Sequence, residues 1–508
     1  MKKTIPLLVL CFACCITHAQ VVTWSETVAQ IVYDNCSSCH RAGQLGPFEL
    51  MSYEDAVEEA DDILNAVQSR DMPPWPADPD YRHFAQEAAL SDEEIEAIVD
   101  WIEGGTPSGN LDTAPAAPVF PANGTQLEVI DFTVTIEPYT LQYNTDEYRW
   151  FAIENPYDQP IYINAIEIIP GLPEFVHHAD LAYDLSGSTL ANDISDPLPG
   201  FNGKTGGPNY DYYINAWMAG GNVVRYPDNW GIEVPAEAYF VVEVHYGPGG
   251  QGQTDSTKMH LQFITNPDDV RPVFASWFLN ENSGLFIPAN EISTFEHESQ
   301  VFQNERSLIS ICPHMHFLGQ SYKIWLETME GDSIPIVDIP QWDFHWQKYY
   351  TFINPQYIPS GSRLKAIATY DNTANNEDNP NDPPQHVYGG STTESEMLMT
   401  YVLWSYFEEG DETIWMDSTF ITDIAETIQL PDIPQVFPNP AHDHLYVKAN
   451  EGSENCTIKI FDVTGQLVIE ENNSSSVHRF DISMLPIGTY IVQVRSNKNV
   501  LQLKLIKC

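Results

Sequence analysis

Basic residues are scarce in this chain: 22 Lys and Arg stand against 72 Asp and Glu over 508 residues, a formal net charge of −50. Such an acid excess repels phosphate backbones, which argues against nucleic acid as a partner, and it disfavours anionic membrane surfaces. Long apolar runs are also missing. Residues 5–16 are too few to span a bilayer and no run of about 18 apolar residues follows, so no transmembrane segment is expected. Cysteine is sparse and scattered. Of the eight, Cys11, Cys14 and Cys15 lie in the leader, and the odd remainder (Cys36, Cys39, Cys312, Cys456 and Cys508) does not read as a disulfide framework. Aromatic residues, by contrast, are plentiful, with 12 Trp, 25 Tyr and 23 Phe, which acidic disordered chains lack. Together with 37 Pro and few helical patterns this predicts a folded, mainly β, multidomain protein.

Residues 1–19 read as a secretory signal peptide: Lys2 and Lys3, the apolar run, then Thr17-His18-Ala19 before Gln20. Cys14 and Cys15 leave a degenerate lipoprotein signal open as the alternative. Residues 20–105 hold the convincing helices and are expected to form a small all-α domain. Thr23 with Glu26 makes a capping-box pattern ahead of Val28, Ile31 and Val32, and Ser91 with Glu94 repeats it before Ile95, Ile98, Val99 and Ile102. Gly104-Gly105 stops that helix, and residues 53–67 are a third amphipathic candidate. The Pro/Ala/Gly stretch 106–124 reads as a linker. Beyond it come short strands, such as 239–245, 258–264, 308–311 and 363–370, separated by Pro, Gly and Asn/Asp clusters. Their number predicts two antiparallel β-sandwiches, over residues 125–270 and 271–430. Residues 433–508 are balanced, with 7 Lys+Arg against 7 Asp+Glu, so the acidity coats the domains ahead of them.

Cys36-Ser37-Ser38-Cys39-His40 is the most specific short motif. Two thiols three apart can add across both vinyl groups of a haem, and the following His40 is then placed as proximal iron ligand. A redox pair or half a zinc site would need a βαβ pattern or a second Cys pair, and neither is present. The sixth ligand should be soft and downstream. Met72, in Arg70-Asp71-Met72-Pro73-Pro74-Trp75, is the candidate, with Met51 and His83 behind it. Residues 20–105 resemble class I cytochromes c, in which such a Met is the distal ligand. A Met ligand raises the reduction potential and suits an electron carrier.

The middle of the chain is rich in histidine. His314-Met315-His316 places two imidazoles at i and i+2, on one face of a strand, where one metal can take both. His177 and His178 are adjacent and would point to opposite faces of a regular strand, so both can hold one ion only at a bend or bulge. Spacing alone does not decide, since His442-Asp443-His444 has the same spacing with nothing soft or imidazole-bearing in a comparable frame, and reads as a solvated surface pair. His260, His345 and His386 read as structural. The flanking residues carry more: Phe175-Val176-His177-His178, Val244-His245-Tyr246-Gly247, His314-Met315-His316-Phe317-Leu318-Gly319 and Glu396-Met397 occur in that order. This series, with Ala216-Trp217, Trp342-Asp343-Phe344 and Tyr370-Asp371-Asn372, resembles the copper type II, ascorbate-dependent monooxygenases, the family of peptidylglycine α-hydroxylating and dopamine β-monooxygenases.

The resemblance implies two β-sandwiches, each carrying one of two copper ions, facing across a solvent-filled cleft. It assigns His177, His178 and His245 to the electron-storing copper. His314, His316 and Met397 are assigned to the copper where O2 binds and the substrate C–H is attacked. A thioether favours Cu(I), the state that meets O2, and Met399, two residues on, is the alternative sulfur. Tyr401 matches a substrate-contacting Tyr. The implied reaction is hydroxylation of a small organic or peptide-like substrate with O2 and two electrons, supplied by ascorbate, a redox partner or the chain's own haem. Two departures bear on specificity. Cys312 stands where the peptide-hydroxylating members carry a carboxylate-binding Arg, and Glu243 stands in place of a Gln. A non-catalytic cell-surface copper and haem electron-transfer protein is the alternative function, and an adhesin with decayed metal sites a further one.

In the tail, Val436-Phe437-Pro438-Asn439-Pro440, Asp462-Val463-Thr464-Gly465-Gln466, Leu485-Pro486-Ile487-Gly488-Thr489-Tyr490 and Lys504-Leu505-Ile506-Lys507 resemble the C-terminal sorting domain of type IX secretion. That implies an Ig-like sandwich over 433–508, engagement of the type IX machinery, and a bacterial protein at the cell surface or secreted, with haem attached in the periplasm.

Overall fold

The computed structural model describes residues 21–416, apart from 121–124, 128, 204–209, 222, 281 and 283. It also describes the strands of the tail between 435 and 507 with a few flanking residues. The signal peptide, His442 and Cys508 lie outside the described residues. The chain divides into two units, residues 1–420 and 421–508. It is mainly β, built from several sheets. Among the described residues no helix is long and apolar enough to cross a membrane.

The helical region packs Trp24, Val28, Val32, Ile63, Val67, Ile98 and Trp101 into one small core. Its last helix, Asp92–Glu103, begins with the expected capping box: Ser91 Oγ accepts from the Glu94 N–H while the Glu94 carboxylate accepts from the Ser91 N–H. The first expected box does not form. Thr23 caps nothing through its side chain, and Trp24–Val28 winds as a π-helix turn. The turn is docked from outside instead, since the Trp24 N–H donates to Pro107 O at 3.0 Å and the Ser25 N–H to Ser108 O at 3.1 Å. Residues 106–109 therefore close this core instead of starting the linker. Gly109, at φ +67°, lies so close to Ser25 that any side chain there would collide. The third candidate helix is two, Tyr53–Glu58 and Ala60–Ser69, broken at Glu59.

The first β region stacks two sheets. One runs Phe201–Asn202, Glu147–Glu154, Tyr239–Tyr246, Val176–Asp184, Tyr212–Met218, and the other centres on Ile161–Ile169 paired with Lys258–Phe263 and Trp230–Val234. Alternate residues such as Ile163, Leu181, Phe240, Val242, Val244 and Leu261 fill the space between them, as period-two patterning requires. The second β region repeats the plan. Phe274–Asn280, Met399–Tyr406, Arg306–His314 and Tyr350–Ile358 form one sheet, and Ile292–Glu298, Arg363–Asp371, Gly319–Glu327 and Ser333–Ile339 the other. The sandwiches are tied at their junction. Arg271, on a short strand paired with Trp230–Val234, forms an ion pair with buried Asp411, and the Ala275 N–H donates to the Tyr212 hydroxyl at 2.8 Å.

The loop after Met72 leaves the helical core altogether. Ala77 and Phe84 are buried in the core of the second sandwich, with Phe84 5.1 Å from the Tyr350 ring and 5.6 Å from Phe352. Backbone bonds from Asp78 N to Asp338 O and from Ala85 N to Thr351 O, both 2.8 Å, fix it there.

The C-terminal unit pairs a three-stranded sheet with the four-stranded sheet Leu467–Asn473, Cys456–Asp462, Gly488–Arg495, Val500–Lys507 around Leu445, Ile458, Ile460, Phe480, Val492 and Leu505.

Candidate metal centres

The first histidine set is made by an irregularity. His178 pairs with His245 across the sheet and Val176 with Tyr246, so His177 is an extra residue facing no partner of its own. That bulge turns two adjacent imidazoles toward one point. One ring nitrogen from each of His177, His178 and His245 lies within 4.8 Å of the others. Both ring nitrogens of His177 and Nδ1 of His178 are buried without a hydrogen-bond partner. Buried polar groups are nearly always satisfied, so a buried imidazole with both nitrogens unpaired, set against two further imidazoles, fits a metal ion. His178 Nδ1 is 3.3 Å from the Asp180 carboxylate. Burial alone would lower its pKa, and Asp180 outweighs that and raises it. Burial, then His245 and His178, hold His177 well below the usual imidazole value. His245 Nε2 bonds Asp146 at 2.9 Å and its ring stacks on Tyr148 at 4.1 Å.

The second set sits at a strand end, so His316 lies just beyond the strand on whose face the sequence placed it. His314 ends the strand Arg306–His314, His316 follows, and their ring centres are 5.2 Å apart. Each Nδ1 is held: His314 by Gln347 Oε1 at 2.6 Å, His316 by the Ser395 carbonyl at 2.9 Å. Second bonds of this kind fix the tautomer and leave Nε2 as the ligand atom. Burial pushes His314 down to about 3 and His316 to about 4, so both imidazoles are neutral at pH 7. Glu396, 1% exposed, accepts the backbone N–H groups of His316, Leu318 and Met397, and Tyr370 donates to the Met397 carbonyl at 2.7 Å. One carboxylate thus clamps two expected ligands from separate segments. Met399 lies opposite His314 in the sheet and Tyr401 opposite Cys312, so both project from the same face as the imidazoles.

Both sets face one cavity of about 400 Å³, lined by His177, His178, His245, His314, His316, Met397, Met399 and Tyr401. Phe344 stands between them, stacked on His177 at 4.2 Å and edge-on to His316 at 5.9 Å. Cys312 and Glu243, the two departures, line it too, and burial pushes Glu243 up to about 8 with Asp180 adding to the effect. The sequence reading did not pick out Asp146 or Gln347. Both bond an imidazole from a different segment, and no local spacing signals them. His260 bonds Thr133 at 2.8 Å and His386 accepts from the Ala289 N–H at 3.0 Å, as ordinary structural histidines do.

At the haem motif, Cys36 caps the helix Ala29–Asn35, and the Cys39 and His40 N–H groups both bond the Cys36 carbonyl. His40 Nδ1 is held by the Phe48 carbonyl at 3.1 Å, leaving Nε2 for a ligand. Gly46 makes room, since a Cβ there would meet His40 Nδ1 at 2.7 Å. Burial pushes the Cys36 thiol up to about 12. Two free thiols beside an imidazole with one nitrogen held are a donor set that fits a covalently attached haem. Met72 lines a separate pocket of about 910 Å³ with Trp75, His83, Leu90, Trp342 and Trp346, and neither Cys36, Cys39 nor His40 is among its lining residues. Met51 engages the fold through its backbone, its N–H donating to Asp55 and its carbonyl accepting from Tyr33.

Residues 435–508 match the family described as secretion system C-terminal sorting domain. That domain implies export and a cell-surface or secreted location. No curated protein matches the chain. Among solved structures the chain is similar to PorZ, a surface component of the type IX secretion system of Porphyromonas gingivalis, at 17% identity and a TM-score of 0.15. That match covers 22% of this chain and 15% of PorZ. A β-glucuronidase from Ruminococcus gnavus matches at 8% identity and a TM-score of 0.12, over 70% of this chain and 46% of the enzyme. The PBSX exported protein XepA matches at 9% and 0.14, over 50% and 95%. At such TM-scores none of these likenesses bears on the chemistry of the chain.

Proposed function

We propose that the protein is an exported copper-dependent monooxygenase that hydroxylates a C–H bond of an organic substrate, with electrons reaching it through or alongside its own c-type haem. The observation that carries this is the shared cavity: a three-imidazole set and a two-imidazole, thioether-bearing set open onto one space large enough for a small molecule. His177, His178 and His245 would hold one copper, His314, His316 and Met397 the other, and Cys36, Cys39 and His40 the haem. Bound copper supplies the one-electron and dioxygen chemistry.

The chain's own residues do the positioning. Gln347 and the Ser395 carbonyl hold the second pair of imidazoles by Nδ1, so both present Nε2 to the cavity. Glu396 and Tyr370 fix the Met397 backbone beside them. Trp150, Tyr213, Trp277 and Tyr401 wall the space with aromatic surface that suits a partly apolar substrate. Asp146 bonds His245 and accepts from Thr393 at 3.3 Å, linking the first set to the segment that carries Ser395.

The test is to load the purified protein with copper and screen substrate classes for O2-dependent products heavier by one oxygen atom. The reading expects such a product, lost in Met397→Ala and His314→Ala. Stoichiometric copper and haem with no substrate-dependent O2 uptake would favour a non-catalytic electron-transfer protein instead.

A further inference from the structure

A small cavity of about 40 Å³ lies where three parts of the first unit meet. Trp75 and Ala85 come to it from the loop that leaves the helical core. Ala216 and Met218 come from the strand Tyr212–Met218 of the first sandwich, and Lys348 from the segment just ahead of Tyr350–Ile358 in the second. The space exceeds the roughly 10–15 Å³ that one water needs, and it suits a single atom better than a polyatomic group.

Its charge is one-sided. Lys348 is the only charged residue that lines it, in a chain with 72 Asp and Glu against 22 Lys and Arg. The Lys348 ammonium donates to Pro74 O at 3.1 Å and stands 4.8 Å from the centre of the Trp75 ring. Neither contact brings a negative charge, and among the described residues no carboxylate pairs with it. Burial lowers Lys348 to about 8, and the Cys39 thiol acts in the opposite sense. The ammonium form therefore still dominates at pH 7. A buried cation is costly unless something offsets its charge.

The Trp75 indole adds a second, independent mark. Its Nε1–H is buried with no hydrogen-bond partner. An indole nitrogen can only donate, and an ammonium has three N–H groups, of which Pro74 O takes one. Donors thus collect around the cavity without an acceptor to match. A water molecule would accept those bonds and leave the charge standing. A monatomic anion does both.

We propose that this cavity binds a single halide ion, chloride in solution, held between the Lys348 ammonium and the Trp75 indole N–H. The site needs neither copper nor haem, so it stands apart from the function proposed above. Ala216, Met218 and Tyr349 line both this cavity and that of the histidine sets. The ion therefore backs one wall of the larger cavity and ties the loop after Met72 to both sandwiches.

The test uses the purified full chain without added copper. It is exchanged into sodium gluconate and titrated with sodium chloride at constant ionic strength. The line width of the chloride nuclear magnetic resonance is read together with the thermal transition. Saturable broadening from a single site is expected, with Tm rising as the site fills. The acidic surface repels chloride, so little broadening should come from elsewhere. Lys348→Met, which keeps an apolar stem in place, should abolish both effects. Trp75→Phe, which keeps a ring and removes the donor, should weaken chloride by about tenfold or more. Absence of saturable broadening in the wild type overturns the proposal, because water then satisfies the donors. Unchanged affinity in Trp75→Phe places the ion elsewhere and also overturns it, and that variant decides the matter even where Lys348→Met does not fold. Equal chloride dependence of Tm in Lys348→Met and the wild type overturns it as well.

Discussion

The two histidine sets solve the same problem by opposite means. At His177 and His178 the ladder is broken, and an extra residue turns neighbouring imidazoles toward each other with three ring nitrogens left unpaired. At His314 and His316 the imidazoles sit at and just beyond a strand end, and each is oriented by a hydrogen-bonding neighbour. The first set is assembled by backbone irregularity, the second by side-chain and carbonyl bonds at a strand end. A metal in the first would relieve buried, unsatisfied groups. A metal in the second would meet ligands already fixed, as a site that must hold reactive geometry requires.

This contrast can be broken most severely at Glu396. Glu396→Ala leaves three buried N–H groups without an acceptor and should cost about 3–5 kcal/mol, measured by denaturant unfolding. Copper stoichiometry should fall at the His314/His316 set and stay at the His177/His178/His245 set. Loss at both would show that the sets are not separately built.

Next in size is the junction on which both sets depend. Asp411→Asn, removing one partner of the buried pair with Arg271, should destabilise by about 3 kcal/mol and weaken both copper sites together. Burial alone would raise Asp411, but the bonds from Arg271, Ser307 and the Glu408 N–H hold it below the usual carboxylate value. Its folded pKa is depressed, so its stabilisation is full above the unfolded value near 3.9 and disappears as pH falls through the folded one. Acid unfolding should therefore be less steep in Asp411→Asn. An unchanged acid limb would remove this carboxylate from the account.

The smallest expected effects sharpen the comparison. Gln347→Leu frees His314 Nδ1 and should weaken copper at its set by about 10–100-fold in chelator competition. Asp146→Asn, at a side chain one-third exposed, should weaken the other set by less than about tenfold. Reversal of that order would mean that the bulged set is the more dependent on its neighbours.

Much of this was legible in the sequence because the signals are local. The Ser91/Glu94 box and the sandwich strands follow from local spacing, and the observed strands Tyr239–Tyr246, Lys258–Phe263 and Arg363–Asp371 match expectation to within a residue. Other features depend on a partner far along the chain. Adjacent His177 and His178 require a bulge to face one point, but only pairing with Tyr239–Tyr246 reveals it. Thr23 carries a capping sequence, yet its side chain caps nothing in a turn that binds the distant carbonyls of Pro107 and Ser108. Gln347 and Asp146 look like any loop polar residues until the fold sets them against imidazoles. The tail was legible by its motifs and matches the sorting domain over 435–508.

Ala77 and Phe84 make the fusion more than a tether. They come from the N-terminal helical region but fill the core of the second sandwich, so a β half expressed from residue 106 onward would begin with a hole where two buried side chains belong. The N-terminal part emerges first and the last strands must close around it. The helical region thus serves as a template in assembly, and a chain that misfolds there carries the fault into the second sandwich. The two halves cannot be shuffled independently, and a transplanted helical region would need to bring this loop with it.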